Sequence, residues 1–216
     1  MAKPKKGILI TFEGLDGAGK STLINKVQAW LNAQEIPCIV SREPGGHPVS
    51  EMIRKVLLEQ SMEPLTELFL YEAARAEHTA KTLRPALEKG LIVLCDRYTD
   101  SSLAYQGSAR GLPWETVKSL NRIATQNLVP TLTVWIDVDP KISLARAQDA
   151  NRFEAEGLEF QKKVRRGFLR AKKQSPSRWL ILPASTLGPN ELGQKTIKKL
   201  SGLSWIKSRV KSRNPS

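Results

Sequence analysis

The chain has 216 residues, with 34 Lys and Arg against 21 Asp and Glu, a formal charge of +13. At 40% hydrophobic and 25% charged residues it has the composition of a folded globular chain, not of a disordered or fibrous one. Its length fits one domain that buries roughly 70% of its unfolded surface without a disulfide or a metal. No apolar run reaches the ~18 residues of a membrane span, and the apolar stretch at 8–12, behind a basic start, is too short for a signal peptide.

In chain order, the apolar run at 8–12 predicts a first strand, and residues 20–33 carry helical spacing. A second strand is expected over 36–40 and a long helix over 64–89. A third strand follows over 91–95, a helix over 113–126 and a fourth strand over 132–138. Helices over 141–150 and 158–173 and a weaker strand over 179–182 complete the pattern. The strands are apolar on both faces, as buried parallel strands are. Their alternation with helices implies an α/β fold, a five-stranded parallel sheet flanked by helices. Residues 203–216 form a basic tail whose last few residues are expected to be disordered. Cys38 and Cys95 lie in apolar runs and read as buried free thiols in a reducing compartment, the cytoplasm.

The charge suggests nucleic acid until it is counted by position. Residues 1–160 hold 19 Lys and Arg against 20 acids; residues 161–216 hold 15 against Glu191 alone. The excess belongs to the last quarter of the chain. A solubilising face with a basic tail accounts for it most simply.

Between the first strand and the first helix stands Gly14-Leu15-Asp16-Gly17-Ala18-Gly19-Lys20-Ser21, which matches G-x-x-x-x-G-K-[ST]. Glycines let successive N–H groups turn inward toward phosphate oxygens, and the helix start adds partial positive charge. Lys20 is placed to reach the outer phosphates, and the Ser21 hydroxyl to ligate Mg²⁺. No guanine-reading N-K-x-D follows a later strand, so a GTP switch is excluded. A P-loop chain of this size reads as a kinase of a small molecule.

Further stretches carry a resemblance. Residues 12–22, opening Phe12-Glu13-Gly14 and ending Lys20-Ser21-Thr22, resemble the start of the thymidylate kinase family. So do Arg42-Glu43-Pro44-Gly45-Gly46 and the run from Asp96-Arg97-Tyr98 to Tyr105-Gln106-Gly107. Phe69 followed by Ala74-Arg75 is similar to the family's base-facing helix. The resemblance spans about residues 7–183. It implies a three-layer P-loop kinase fold with a short lid at about 147–154. It also implies transfer of a phosphoryl group from ATP to dTMP with Mg²⁺, and a homodimer.

In such a reaction the acceptor is already anionic, so cations and positioning matter more than a general base. Arg42 and Arg97, at strand ends on the P-loop edge, are expected to hold the acceptor phosphate. Asp96, ending a strand, is placed like a carboxylate that supports Mg²⁺. The resemblance puts Asp16 beside the acceptor phosphate and metal. It implies that Phe69 stacks on the base, that Arg75, Ser102 and Gln106 face its edge, and that Tyr105 lies under the sugar. The ATP site is expected over Gly14–Thr22 with Arg146. The catalytic set is Lys20, Arg97, Asp16 and the lid residue Arg152. Glu13 is placed behind the site, and His78 is read as structural. Two other readings stay open: a kinase of another nucleoside or deoxynucleoside monophosphate, and a nucleic-acid-binding P-loop protein.

Overall fold

Each apolar run becomes a strand: β1 (Ile8–Glu13), β2 (Cys38–Arg42), β3 (Ile92–Asp96), β4 (Leu132–Asp137) and β5 (Trp179–Pro183). The computed structural model describes residues 6–146 and 156–211. The strands form one sheet in the order β2-β3-β1-β4-β5, with every pairing parallel. β1, β3 and β4 are buried almost throughout, while of the edge strands β2 is nowhere fully buried and β5 is buried only at Trp179 and Leu182. β2 begins two residues later than expected. Pro37 has no N–H to give the ladder and serves only as an acceptor, its carbonyl taking the Ile92 N–H at 3.0 Å.

Helices cover both faces: α1 (Lys20–Ala33), α2 (Pro48–Glu59), α3 (Pro64–His78), α4 (Arg84–Glu88), α5 (Thr99–Ser102), α6 (Trp114–Thr125), α7 (Pro140–Arg146), α8 (Gly157–Gln174), α9 (Pro189–Ser201) and α10 (Ser204–Lys211). The helix expected over 64–89 is α3 and α4 joined by a wide π turn, Thr79–Leu83, and a second π segment, Leu103–Ala109, prolongs α5. No helix among the described residues is long and apolar enough to cross a membrane.

Four helices were not legible in the sequence: the one-turn α5 and the longer α2, α9 and α10. α2 turns Met52 and Val56 outward while Ser50 and Leu57 are buried, so its apolar positions do not mark an inward face. α9 starts where the Glu191 carboxylate accepts the Gly188 N–H at 2.9 Å. α10 replaces most of the expected tail. Its Ile206 is fully buried, and the Trp205 indole donates to the Lys6 carbonyl at 2.7 Å.

The register builds the site. Phe12, Asp96 and Arg42 lie in one row across β1, β3 and β2. The chain continues that row past the sheet, with Arg97 N–H donating to the Phe12 carbonyl at 2.9 Å and Glu43 N–H to the Asp96 carbonyl at 2.8 Å. Glu13, Arg97 and Glu43 therefore leave the sheet together at the carboxyl edge, where the order of strands reverses and ligands bind in open α/β sheets. Beneath them an aromatic stack fixes the floor. Trp135 meets Phe168 at 5.8 Å and Trp179 edge-on at 6.2 Å, and Tyr105 meets Phe168 edge-on at 6.5 Å.

Candidate active site

The loop between β1 and α1 turns back sharply on β4. Gly14 has φ +146°, and a Cβ there would lie 2.7 Å from the Ile136 carbonyl of β4, so only glycine lets β1 turn this tightly. α1 starts with no side-chain cap and no acidic residue in its first turn. Its N–H groups and partial positive charge are thus left for an anion. Lys20 is buried, its Nζ donating to the carbonyls of Leu15 (3.0 Å) and Gly14 (3.3 Å). Burial, then the neighbouring Arg97, lowers its pKa from the usual lysine value. Ser21 and Thr22 open α1 and are exposed. A cavity of about 450 Å³ adjoins the loop, lined by Ala18, Gly19, Thr22, Arg146, Ala184 and Leu187. It joins Arg146 to the phosphate loop, as the sequence suggests.

A second cavity opens beside it. At one end Arg97 binds Asp16 at 2.6 Å, donates to the Gly14 carbonyl at 2.9 Å and stacks 5.1 Å from the centre of the Tyr105 ring. Burial alone would raise the pKa of Asp16, but the charges of Arg97 and Lys20 outweigh it and bring it to about 2. Arg97 itself holds φ +66°, a costly conformation for a side chain larger than glycine. Its backbone bond to Phe12 and its ion pair over-determine it there.

At the other end Arg75 is almost wholly buried. Its Nε donates to Glu43 at 2.7 Å, its Nη1 to Glu72, Asn121 and Ser102 at 2.6, 2.7 and 2.9 Å, and its Nη2 to the Tyr98 carbonyl at 3.3 Å. Gln106 is equally buried and donates to Glu67 at 2.7 Å. Arg54, Tyr71 and Pro44 close the cavity's side.

Two carboxyls stand behind these groups. Asp96 Oδ1 is buried and has no hydrogen-bond partner among the described residues. Glu13 is fully buried, accepting from the Tyr98 N–H at 2.9 Å and meeting Ser101 Oγ at 2.5 Å. Burial, reinforced by Asp100, raises its pKa to about 8.

The structure brings Asp16, Arg75, Arg97, Ser102, Tyr105 and Gln106 to one cavity. Two expected members are elsewhere. Phe69 is 52% exposed and does not line the cavity. Six residues turn a helix by about 240° beyond one full revolution, so Phe69 and Arg75 cannot share a face; Tyr71, four residues before Arg75, does. Arg42 does not line it either. It is more than half exposed and pairs with Glu51 at 2.9 Å, and Arg54 takes the cavity-facing place, donating to the Pro44 carbonyl at 2.7 Å. The spacing Tyr71–Arg75 was the signal for the first; Arg54 was hidden because α2 itself was. Arg152 and the lid at 147–154 lie outside the described residues.

The chain matches the thymidylate kinase family model over residues 12–195. It is 44% identical over 198 residues to a thymidylate kinase of Symbiobacterium thermophilum, covering 89% of this chain and 92% of that one. It is 48% identical over 189 residues to that of Shouchella clausii, covering 84% and 89%. Among solved structures it matches a crystal structure of thymidylate kinase from Ehrlichia chaffeensis with a TM-score of 0.75 and 31% identity, over 91% of this chain and 99% of that one.

Proposed function

Because the chain belongs to the thymidylate kinase family, we propose that it transfers the γ-phosphoryl group of ATP to dTMP, giving ADP and dTDP. The observation that carries this reading is a single cavity with two unlike ends. Next to the phosphate loop it offers Arg97 and Asp16; away from the loop it offers buried, fixed polar groups, Arg75, Ser102 and Gln106. A nucleoside monophosphate has the same two ends. The relatives named thymidylate kinase favour dTMP over other monophosphates, and neither alternative reading draws support from them.

The loop N–H groups and Lys20 hold the phosphates of ATP, and its base and ribose extend into the cavity beside Arg146. Arg97 and Arg54 attract the acceptor phosphate and hold it in line with the γ-phosphoryl group. Positioning two anions is the larger part of such a catalyst's work, because the acceptor oxygen needs no base. Asp16, ionised throughout the working range, keeps Arg97 oriented. Tyr71 offers its ring to the thymine face, Arg75, Ser102 and Gln106 face its edge, and Tyr105 lies under the sugar. Ser21, Asp16 and Asp96 would hold Mg²⁺. The unpartnered Asp96 oxygen and the all-oxygen donor set fit a hard cation that keeps water and phosphate ligands. Such an ion neutralises charge between the phosphates when bound. Arg152 supplies the positive charge from the lid, with Arg146 second.

The exposed apolar side chains of α2 and α3 support a homodimer, and free thiols at Cys38 and Cys95 suit the cytoplasm. Coupled ADP release with dTMP, dUMP and dCMP tests the reaction. Faster turnover of dUMP or dCMP than of dTMP overturns the assignment.

A further inference from the structure

His78 is fully buried at the end of α3, and it links two parts of the acceptor cavity. Its Nδ1 lies 3.0 Å from Glu43 Oε1 and its Nε2 lies 2.6 Å from Ser41 Oγ. The other Glu43 oxygen accepts from Arg75 Nε at 2.7 Å. Burial would raise the pKa of Glu43, but Arg75 and His78 outweigh it and hold the carboxyl below the usual value. Glu43 is therefore a carboxylate, an acceptor only. Nδ1 of His78 must carry the proton that it donates to Glu43, and Nε2 is left to the Ser41 hydroxyl.

The direction of this chain matters for Arg75. A guanidinium has five N–H donors. Nε is committed to Glu43, both Nη1 hydrogens to Glu72, Asn121 and Ser102, and one Nη2 hydrogen to the Tyr98 carbonyl. One Nη2 hydrogen is left for a ligand in the cavity that Arg75 lines. Which way it points depends on every bond that holds the planar fork, and Glu43 supplies the one at Nε. The ring also supports the loop after β2. Gly46 has φ +77°, and a Cβ there would fall within about 2.5 Å of His78 Nε2 and clash with Ser41 Oγ. The loop backbone thus rests on the imidazole, and Pro44 of the same loop lines the cavity.

We propose that His78 is a positioning residue for acceptor recognition, holding Glu43 so that Arg75 presents its one uncommitted N–H to a carbonyl on the pyrimidine edge. This rests on the reading of Arg75 as the group that faces the base. It assigns His78 no contact with substrate and no part in phosphoryl transfer.

Three variants decide it. His78→Asn keeps an N–H donor near the Nδ1 position and loses the link to Ser41. His78→Gln carries its amide near Nε2 and loses the link to Glu43. His78→Leu loses both. With dTMP varied at saturating ATP, KM for dTMP is expected to stay within about threefold in the Asn variant. It is expected to rise about tenfold or more in the Gln and Leu variants, the cost of freeing a charge-assisted hydrogen bond. KM for ATP and kcat stay within about threefold in all three. Equal KM values for dTMP in the Asn and Gln variants, or a joint loss of kcat and both KM values, overturns the proposal. Should the Leu variant fail to fold, the two amides, one methylene apart, still separate the outcomes. Arg75→Lys separates the two levels. An unchanged KM for dTMP there removes Arg75 from the base and the proposal with it. A raised KM there, beside an unchanged one in His78→Gln, overturns the role of His78 alone.

Discussion

Tyr71 and Phe69 are two residues apart on α3, yet only Tyr71 reaches the acceptor cavity. Tyr71→Ala is expected to raise KM for dTMP about tenfold, since stacking a ring and burying it are together worth about 1.5 kcal/mol or more. Tyr71→Phe should keep the wild-type value; steady-state kinetics with dTMP checks both. For Arg152, substitution by Ala should cut turnover by about 10³-fold, the scale of an arginine aimed at a transferring phosphoryl group. ATP binding by calorimetry should change far less. Glu13 gives a pH prediction. Its folded pKa, about 8, lies above the ordinary carboxyl value, so between about pH 4.5 and 8 the folded state holds a proton that the unfolded state has released. Stability then falls as pH rises through that window. Glu13→Gln copies the protonated form, accepting from Tyr98 N–H and donating to Ser101 Oγ, and should flatten that decline in denaturant titrations from pH 5 to 8. The sequence carried Lys20 because the loop pattern names it by position, Asp16 through the family resemblance, and Arg97 because it follows a strand end on the same edge. It could not carry Glu43, whose role comes from a register that sets β2 beside β3.

At the scale of elements, what was legible depended on whether an element's apolar residues mark its buried side. The five strands are apolar on both faces, and α1 buries its apolar residues Leu23, Ile24, Val27 and Leu31. α2 does not follow that rule, since it exposes Val49, Met52 and Val56 while Ser50 is buried, and Arg54 was lost with it. The segment from Trp179 into β5 shows the opposite case, a weak run fastened by one ion pair. Arg178, just before β5, holds Asp100 of α5 through two bonds of 2.7 Å. Asp100 is only 1% exposed at its side chain and Arg178 17%. Removing one partner of such a pair leaves a buried charge alone, at a cost of about 3–5 kcal/mol. Arg178→Ala is expected to lower the unfolding free energy by roughly 3 kcal/mol, the low end because Arg178 is partly wet. α5 also carries Ser101 and Ser102 of the acceptor cavity, so KM for dTMP should rise as well. Chemical denaturation followed by tryptophan fluorescence, with kinetics on the same sample, reads both effects.

At the scale of the molecule, charge and apolar surface lie in different places. The basic excess sits after residue 160, much of it on α8, where Lys162, Lys163, Arg166 and Lys173 are exposed. Neighbouring exposed apolar side chains gather on α2 (Val49, Met52, Val56) and α3 (Leu65, Phe69), while others, such as Leu169 on α8, stand singly. Val49, Met52 and Val56 are spaced three and four apart, as are Leu65 and Phe69 by four, so each set forms one stripe. Two helices about 20 Å long and about 10 Å apart offer too little area for the roughly 800 Å² per partner of a stable interface. α6 packs on α3 and adds Ile123, 68% exposed, which widens the face. An apolar patch of this kind is suited to a second copy of itself, since a two-fold axis sets like against like. Phe69→Lys or Met52→Lys would place charges opposite one another across that axis. Sedimentation velocity is expected to give a dimer for the parent chain and a monomer for either variant. Raising the salt should leave the parent dimer intact, because little of its contact is ionic. A parent chain that sediments as a monomer, or a Phe69→Lys variant that stays dimeric, would move the interface elsewhere and leave the exposed ring of Phe69 without a role.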